Sequence, residues 1–207
     1  DQDTAAADTA AETLLSMGIY RLDGVIVTHY DRDHAGGVSK LLFRVPSLAV
    51  YLPRYTEDPE MQQEIIQASK GNAYYVDEDL TLSWDNTELT VYAPVSDASA
   101  NESGLCVLFH GEKCDILVTG DIGIEAENNL ILQKNIPELT VLLAGHHGSK
   151  YSTGAALLSE TMPQYVFISV GADNTYGHPS GEVLDRLSQY GCQVYRTDQN
   201  GTIIFRR

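Results

Sequence analysis

The chain has few basic side chains and no long apolar run. Only 13 Lys and Arg accompany 29 Asp and Glu, giving a net charge of −16. Because phosphate neutralisation needs Lys and Arg, this balance excludes broad electrostatic attraction to nucleic acid or anionic lipid. No apolar stretch approaches the roughly 20 residues of a membrane helix, and the acidic opening is unlike a signal peptide. We therefore expect a soluble domain in which any nucleic-acid contact is confined to the rim of a local site.

Cysteine is also scarce. Cys106, Cys114 and Cys192 lack metal-ligand spacing and cannot all pair within one chain. Cys106 lies in an apolar run, which predicts a small core residue. The cysteine count does not settle the redox compartment.

The remaining pattern predicts an α/β fold. A length of 207 residues with 43% hydrophobic residues suits one domain over residues 1–207, which we interpret as a fragment of a longer protein. Apolar periodicity predicts helices at 5–17, 37–43, 59–70, 125–133, 154–160 and 181–190. Short β-type runs predict strands at 25–28, 48–52, 80–84, 89–93, 105–110, 116–119, 141–144, 165–170, 193–197 and 202–205. A turn is expected at 97–103, and functional side chains are expected on loops at one edge of the sheets.

The segment 28–37 is the most informative stretch of the chain. It places His29, Asp31, Asp33 and His34 within six residues, directly after the apolar run 25–27. Two carboxylates this close repel one another unless a cation lies between them. The segment therefore predicts a metal site.

Three further histidines occur in the same sequence context, after an apolar run and beside glycine. His146, His147 and His178 follow apolar strand-like runs and have glycine neighbours, and Asp121 closes the run 116–121 in the same way. Histidines scattered by chance would not mark strand ends, so a shared metal site is favoured over coincidence. His110 alone is isolated, and we assign it to the surface without a function.

Each of these residues also has a structural alternative. Asp33 could cap a helix that starts at Gly36 or Gly37, and His178 could be a turn residue before Pro179. His146 or His147 could hydrogen-bond the backbone, and Lys150 could be a solvated charge. The sequence leaves these alternatives open.

Three motifs in order resemble the metallo-β-lactamase superfamily. Its hallmark is a His-x-His-x-Asp-His loop after a strand, and here Asp31 stands where the second histidine is usual. With His-His-Gly-Ser at 146–149 and Tyr-Gly-His-Pro-Ser at 176–180, the chain resembles the C-terminal hydrolase domain of competence proteins of the ComEC/Rec2 type. The resemblance implies a four-layer αββα sandwich. Because relatives begin with further strands and this chain opens almost at the first helix, its first N-terminal strands are expected to be missing.

The resemblance also implies metal ligands. His29 and Asp31 would hold one metal, Asp33, His34 and His178 would hold the second, and Asp121 would bridge the two. Where relatives supply a further histidine, this chain has Asn101, so the first site would be open, looser or completed by His146. The expected cofactors are two divalent metal ions that share a hydroxide, with no organic cofactor. Three carboxylates and no cysteine ligand make manganese as credible as zinc.

Further residues are candidates for catalysis and substrate contact. The candidate catalytic residues are Asp33, His147 and Ser149. Substrate contacts are expected from His147, Ser149, Lys150 and Asn101, because imidazole, hydroxyl and ammonium groups can contact a phosphate oxygen.

The function that the resemblance implies is a metal-dependent phosphodiesterase or nuclease acting on DNA during DNA uptake. The parent protein would lie in the bacterial cell membrane beside a channel part, with this domain on the extracytoplasmic side.

The acidic surface favours an alternative, a hydrolase of a small phosphoester, ester or lactone, and a non-catalytic binding module is a third interpretation. Convergence of the nearby bases on the metals would favour the nuclease, and scatter would favour the small substrate. Those bases are Arg32, Lys40, Arg44, Arg54 and Lys150.

Overall fold

The computed structural model describes residues 2–96 and 101–206, with side chains described from residue 5 onward. The chain divides into two compact units, Asp1–Asp77 and Glu78–Arg207. No helix in the described part of the chain is long and apolar enough to cross a membrane.

The first unit contains a three-stranded parallel sheet and four helices. Its elements are α1 Gln2–Ser16, β1 Val25–Ile26, α2 Arg32–Ala35, α3 Val38–Arg44, β2 Val50–Leu52, α4 Pro59–Ala68 and β3 Ala73–Tyr75. The strand order is β1-β2-β3. Asp58 begins α4 by accepting a hydrogen bond from the Met61 backbone, and Pro59 follows in the first turn, where its missing N–H is harmless. Val50, Leu52 and Ile65 form the centre of this unit's core.

The second unit contains a seven-stranded mixed sheet. Its elements are β4 Leu80–Trp84, β5 Thr87–Tyr92, β6 Cys106–Gly111, β7 Cys114–Val118, α5 Ile124–Gln133, β8 Val141–Leu143, a 3-10 turn Gly145–Gly148, α6 Ala155–Thr161, β9 Tyr165–Ile168, α7 Gly181–Gln189, β10 Gln193–Arg196 and α8 Thr197–Asn200. The strand order is β10-β9-β8-β7-β6-β5-β4. Strands β4 to β7 pair antiparallel, whereas β7 to β10 pair parallel.

One face of this sheet carries the core of the second unit. Side chains alternate between the two faces of a strand, so Val166 and Ile168 are fully buried while Phe167 on the opposite face is half-buried. Leu117 and Leu142 on the neighbouring strands join the same core as Leu130 of α5. Burial of these apolar side chains is the main source of this unit's stability.

The α/β class is confirmed, and the strand at 80–84 forms as predicted. Cys106 is buried, as expected of a core residue. The predicted strand at 202–205 is wrong, because α8 follows β10 directly and Gly201 then turns the backbone with φ +66°. Phe205 contacts the Tyr165 ring at a centroid separation of 5.8 Å without joining the sheet.

Two further predictions concern loops. Asp33 does not cap a helix starting at Gly36 or Gly37, because it lies inside α2, and α3 begins after Gly37 without a side-chain cap. The turn expected at 97–103 lies partly outside the described residues, since only 101–103 are described, and these form a turn.

The core of α5 supplies a stability test with an internal control. Leu130 is fully buried, whereas Leu132, two residues further on, is 83% exposed. We expect Leu130→Ala to lower the free energy of unfolding by about 2–5 kcal/mol because it leaves a cavity. Leu132→Ala is expected to change it by less than about 0.5 kcal/mol. Urea denaturation followed by circular dichroism measures both, and equal effects would contradict the described packing.

Candidate metal-binding site

The first unit brings four predicted ligands together on one short segment, which we call the first-unit cluster: His29, Asp31, Asp33 and His34. His29 Nε2 lies 3.8 Å from Asp31 Oδ2, and His34 Nε2 lies 3.8 Å from Asp33 Oδ2. The two imidazole rings are 4.1 Å apart between centroids. The segment therefore holds two imidazoles and two carboxylates close together, and their role as metal ligands stays a prediction.

Local backbone structure explains why these side chains lie close together. The chain leaves β1 in extended form, and Asp31 remains extended with φ −63° and ψ 145°. The backbone N–H groups of His34 and Ala35 then donate to the Asp31 carbonyl, which closes the single turn α2. His29 is buried, and its Nδ1 lies 3.0 Å from Thr28 Oγ1. This hydrogen bond to the preceding residue orients the imidazole ring.

The second unit gathers the remaining predicted ligands Asp121, His146 and His178, together with the predicted catalytic residue His147. We call these four residues the second-unit cluster. The Asp121 Oδ2 atom lies 3.6 Å from His146 Nε2 and 3.9 Å from His147 Nε2. The His146 and His178 rings are 5.7 Å apart between centroids. Parallel pairing of β7, β8 and β9 places the carboxyl ends of these strands at one sheet edge, which is why segments distant in sequence meet here.

The turn that carries two of these histidines has an unusual backbone. His146 and His147 both have left-handed geometry, with φ 49° and 54°. Gly148 follows with φ +83°, and a Cβ there would lie 2.6 Å from Cβ of Pro179. The turn thus requires glycine at 148 both for its backbone angle and for close approach to the Pro179 segment.

Hydrogen bonding fixes the orientation of the His147 ring. His147 Nδ1 lies 2.8 Å from the Ser169 carbonyl oxygen. A carbonyl only accepts, so Nδ1 carries the proton, and in the neutral ring Nε2 offers its lone pair on the side of Asp121. This is the arrangement that orients imidazole ligands in metal proteins.

The donor set fits divalent metal ions. Two donors bound at about 2.1 Å to one tetrahedral ion lie roughly 3.4 Å apart, close to the separations around Asp121. His178 Nδ1 is buried, and none of the hydrogen bonds among the described residues reaches it. Burial lowers the pKa of His178, with the neighbouring His146 and His147 acting in the same direction. A partly buried imidazole whose neutral form is favoured suits a metal ligand.

Asn174 holds the His178 segment in place. Its side-chain amide donates to the His178 carbonyl oxygen at 2.8 Å, and its oxygen accepts from the His178 backbone N–H at 2.9 Å. His178 follows the turn at 175–176 in a segment constrained by Asn174, and its ligand role stays a prediction.

The predicted substrate-contacting residues differ in accessibility. Ser149 is buried, and its oxygen accepts from the Tyr151 backbone N–H at 3.3 Å. Lys150 is exposed, with its ammonium 5.0 Å from the Tyr151 ring centroid. Asn101 is half-buried in a turn, where its carbonyl oxygen accepts from the Gly104 backbone. Their substrate contacts stay predictions.

The bases near the motifs do not converge within the first unit. Lys40 and Arg44 both bind the Asp8 carboxylate, at 2.6 and 2.9 Å. Arg54 instead binds Asp77 at 2.5 Å. Arg32 in α2 and Lys150 beside the 3-10 turn lie on segments that carry cluster residues. His110, outside both clusters, is exposed as expected and forms a close ion pair with Asp115.

Glu127 of α5 lies beside the segment that carries the histidine turn, although the sequence pattern did not single it out. Glu127 is fully buried, and its carboxylate accepts from the Thr153 and Gly154 backbone at 2.6 and 2.7 Å. Burial raises the pKa of Glu127 to about 7, although these two hydrogen bonds and the Arg186 charge act in the opposite direction. The sequence did contain one indication that Glu127 is buried. It lies three residues after Ile124 and three before Leu130, on the apolar face of the helix.

Comparison with known proteins identifies the fold family. The sequence profile described as "Metallo-beta-lactamase superfamily" matches residues 3–171. The chain belongs to the metallo-beta-lactamase superfamily. The predicted family and its fold class are confirmed by this match.

Two relatives connect this superfamily member to competence proteins. ComE operon protein 3 of Bacillus subtilis is 32% identical over 93% of this chain. Competence protein ComA of Neisseria gonorrhoeae is 29% identical over 97% of it. The chain spans 26% and 28% of the lengths of these two relatives, or about a quarter.

A solved structure agrees with the fold. The diiron beta-hydroxylase CmlA of Streptomyces venezuelae aligns with a TM-score of 0.58 at 14% identity, over 86% of this chain and 44% of that one. At this identity the likeness concerns the fold alone. A shared fold does not fix the reaction, which depends on the side chains in the site.

The raised pKa of Glu127 predicts how stability depends on pH. The folded protein binds this proton more tightly than the unfolded chain between the ordinary pKa of 4.5 and about 7, so its stability falls as the pH rises through this window. Compared with Glu127→Gln, the wild type should lose up to about 3 kcal/mol of unfolding free energy between about pH 4.5 and about pH 8. Denaturation in the presence of a chelator measures the difference. Glu125→Gln, an exposed change on the same helix, should follow the wild-type curve, and parallel curves for Glu127→Gln would contradict the burial of an ionisable carboxylate.

Proposed function

We propose that this chain is a metal-dependent hydrolase that cleaves the phosphodiester bonds of DNA. The observation that carries the proposal is the concentration of imidazoles and carboxylates at strand ends in a member of the metallo-beta-lactamase superfamily. This superfamily generally comprises hydrolases, and the donor geometry within each cluster suits divalent ions.

The two clusters supply the ligands for two divalent metal ions, manganese or zinc. In the first unit these ligands are His29, Asp31, Asp33 and His34. In the second unit they are Asp121 and His178, with His146 as an additional donor. Bound divalent ions supply Lewis acidity and lower the pKa of water, which is the chemistry that hydrolysis of a phosphodiester needs.

Neighbouring side chains would act on the substrate. His147 is held by the Ser169 carbonyl, so its Nε2 has a fixed direction from which a protonated ring can donate to a phosphate or leaving-group oxygen. The Ser149 oxygen already accepts a backbone hydrogen bond, which leaves its hydroxyl proton to be donated. Lys150 adds positive charge at the exposed side of this turn, and Asn101 is a further candidate contact.

Similarity to competence proteins supports DNA as the substrate and DNA uptake as the context. The relatives are about four times longer than this chain. We propose a parent protein in the bacterial cell membrane that carries this domain on the extracytoplasmic side, next to a channel part. Contact with DNA would be confined to the rim of the metal site because the chain is strongly acidic.

One observation favours a second candidate, a hydrolase of a small phosphoester, ester or lactone. Lys40, Arg44 and Arg54 are bound to carboxylates, so few bases remain to contact a polyanion. A small substrate would need only the metal ions and the few polar groups beside them. A third candidate, a non-catalytic binding module, would lack bound metal or turnover.

Metal content tests the ligand assignment. We expect the wild type to bind two divalent ions and Asp33→Ala or His178→Ala to lower the bound metal by at least one ion, because each change removes a ligand. Asp33 has a side chain that is 65% exposed, so its replacement should leave the fold intact. His110→Ala is the matched control outside both clusters and should keep the wild-type content. Elemental analysis after dialysis measures the ratio, and unchanged content in both ligand variants would refute the assignment.

Turnover tests the substrate class. With added manganese, we expect cleavage of single-stranded DNA, double-stranded DNA or bis-p-nitrophenyl phosphate, and a loss of at least about 100-fold in Asp33→Ala. Because few bases are available, binding of DNA should depend weakly on salt, with a slope of log K against log salt no steeper than about −2. Turnover of small esters or lactones without turnover of any phosphodiester would replace the nuclease with the second candidate. Full metal loading without turnover of any of these substrates would favour the binding module.

A further inference from the structure

Glu127 lies at the base of the second-unit cluster without belonging to it. The side chain is fully buried, and each carboxylate oxygen accepts one backbone hydrogen bond, Oε1 from Thr153 and Oε2 from Gly154. The donors are 26 and 27 residues further along the chain. A buried carboxyl group with such short contacts fixes the backbone that it binds, because a buried N–H group that lost its acceptor would carry the full cost of desolvation.

The segment that Glu127 holds is linked to the histidine turn. Thr153 Oγ1 accepts from the Gly145 backbone N–H at 3.0 Å, and Gly145 begins the turn that contains His146 and His147. The Thr153 side chain is itself fully buried, so water does not compete for this contact. A continuous path of two hydrogen bonds thus leads from Glu127 to the residue before His146.

The same region is tied to the segment that carries Asp121. The His146 backbone N–H donates to the Gly120 carbonyl at 3.1 Å, and Ser152 Oγ donates to the Ile122 carbonyl at 2.9 Å. These bonds connect both neighbours of Asp121 to the segment 146–152. A shift of Thr153 would therefore change the position of the imidazoles relative to the Asp121 carboxylate.

Packing around the carboxylate leaves little freedom for an alternative arrangement. A Cβ on Gly145 would lie 3.3 Å from Glu127 Oε1, and a Cβ on Gly154 would lie 3.3 Å from Oε2. Arg186 Nη1 donates to the carbonyls of Ser152 and Thr153, at 3.0 and 2.8 Å, and so holds the same loop from α7. Both glycines permit the backbone to approach the carboxylate closely.

We propose that Glu127 is a positioning residue that holds the His146-His147 turn, through Thr153 and Gly145, in the conformation that binds metal. The inference rests on the proposed function in one respect, namely that the second-unit cluster binds metal. Glu127 touches neither metal nor substrate in this scheme. Its effect is transmitted by the backbone, as with other residues that orient ligands without contacting the metal.

The substitution Glu127→Gln tests the hydrogen bonds of this side chain separately from its size. It keeps the shape of the side chain but offers one acceptor oxygen instead of two, so one of the two backbone N–H groups loses its partner. Glu125→Gln makes the same chemical change at an exposed site two residues earlier and is the matched control.

Three measurements on the whole chain test the proposal. Manganese affinity, determined by titration calorimetry, should fall by roughly 10- to 100-fold in Glu127→Gln and by less than about twofold in Glu125→Gln. Amide hydrogen exchange without metal should become faster at 145–148 in Glu127→Gln while remaining unchanged in β8. Thr153→Val should weaken manganese binding as Glu127→Gln does, and Thr153→Ser, which keeps the hydroxyl, should restore it.

The outcomes are distinguishable. A Glu127→Gln protein that is folded by circular dichroism and binds manganese with wild-type affinity would overturn the positioning role. If the wild type itself binds no metal, the proposed function fails, and the exchange measurement alone decides the inference: unchanged exchange at 145–148 would overturn it and faster exchange would support it. Should Glu127→Gln fail to fold, the Thr153→Val and Thr153→Ser pair decides, since equal affinities in those two variants would overturn the hydrogen-bond path.

Discussion

The parallel pairing of β7, β8 and β9 is the constraint on which the second-unit cluster depends. Val118, Leu143 and Phe167 lie opposite one another in consecutive strands, so the three strands end level at one edge. Parallel strands require long crossovers, which here contain α5 and α6 and are held by the buried faces of these helices. Because a register shift of one residue would move each core side chain to the other face, the apolar core fixes the position of the edge that carries the second-unit cluster.

The sequence revealed the candidate ligands, whose metal binding stays a prediction, more readily than it revealed the residues that support them. His29, Asp121 and His178 were recognisable because short apolar runs and neighbouring glycines mark strand ends locally. Glu127 was not recognised, since its partners are backbone groups 26 and 27 residues away and no local pattern reports such contacts. The strand expected at 202–205 failed for a related reason, because an apolar run predicts burial but not whether a sheet edge is available to pair with it.

Three basic side chains of the first unit are neutralised by nearby carboxylates. Asp8 binds Lys40 and Arg44, and Asp77 binds Arg54. The sequence analysis had considered all three bases as groups that could converge on the metal site. These pairs join helices or strand ends of the first unit and leave the excess of carboxylates largely uncompensated. Divalent cations are the natural complement of such a surface, and their charge, concentrated at one place, could attract a phosphate where the protein as a whole repels it.

The left-handed backbone of His146 and His147 lowers the stability of the turn that carries them. Each such residue carries a conformational strain on the order of 1 kcal/mol, which glycine would avoid and asparagine would reduce. A sequence shaped by stability alone would place those residues at both positions. The stability of the turn therefore does not explain why two adjacent imidazoles occupy these positions, and the explanation lies with the side chains themselves.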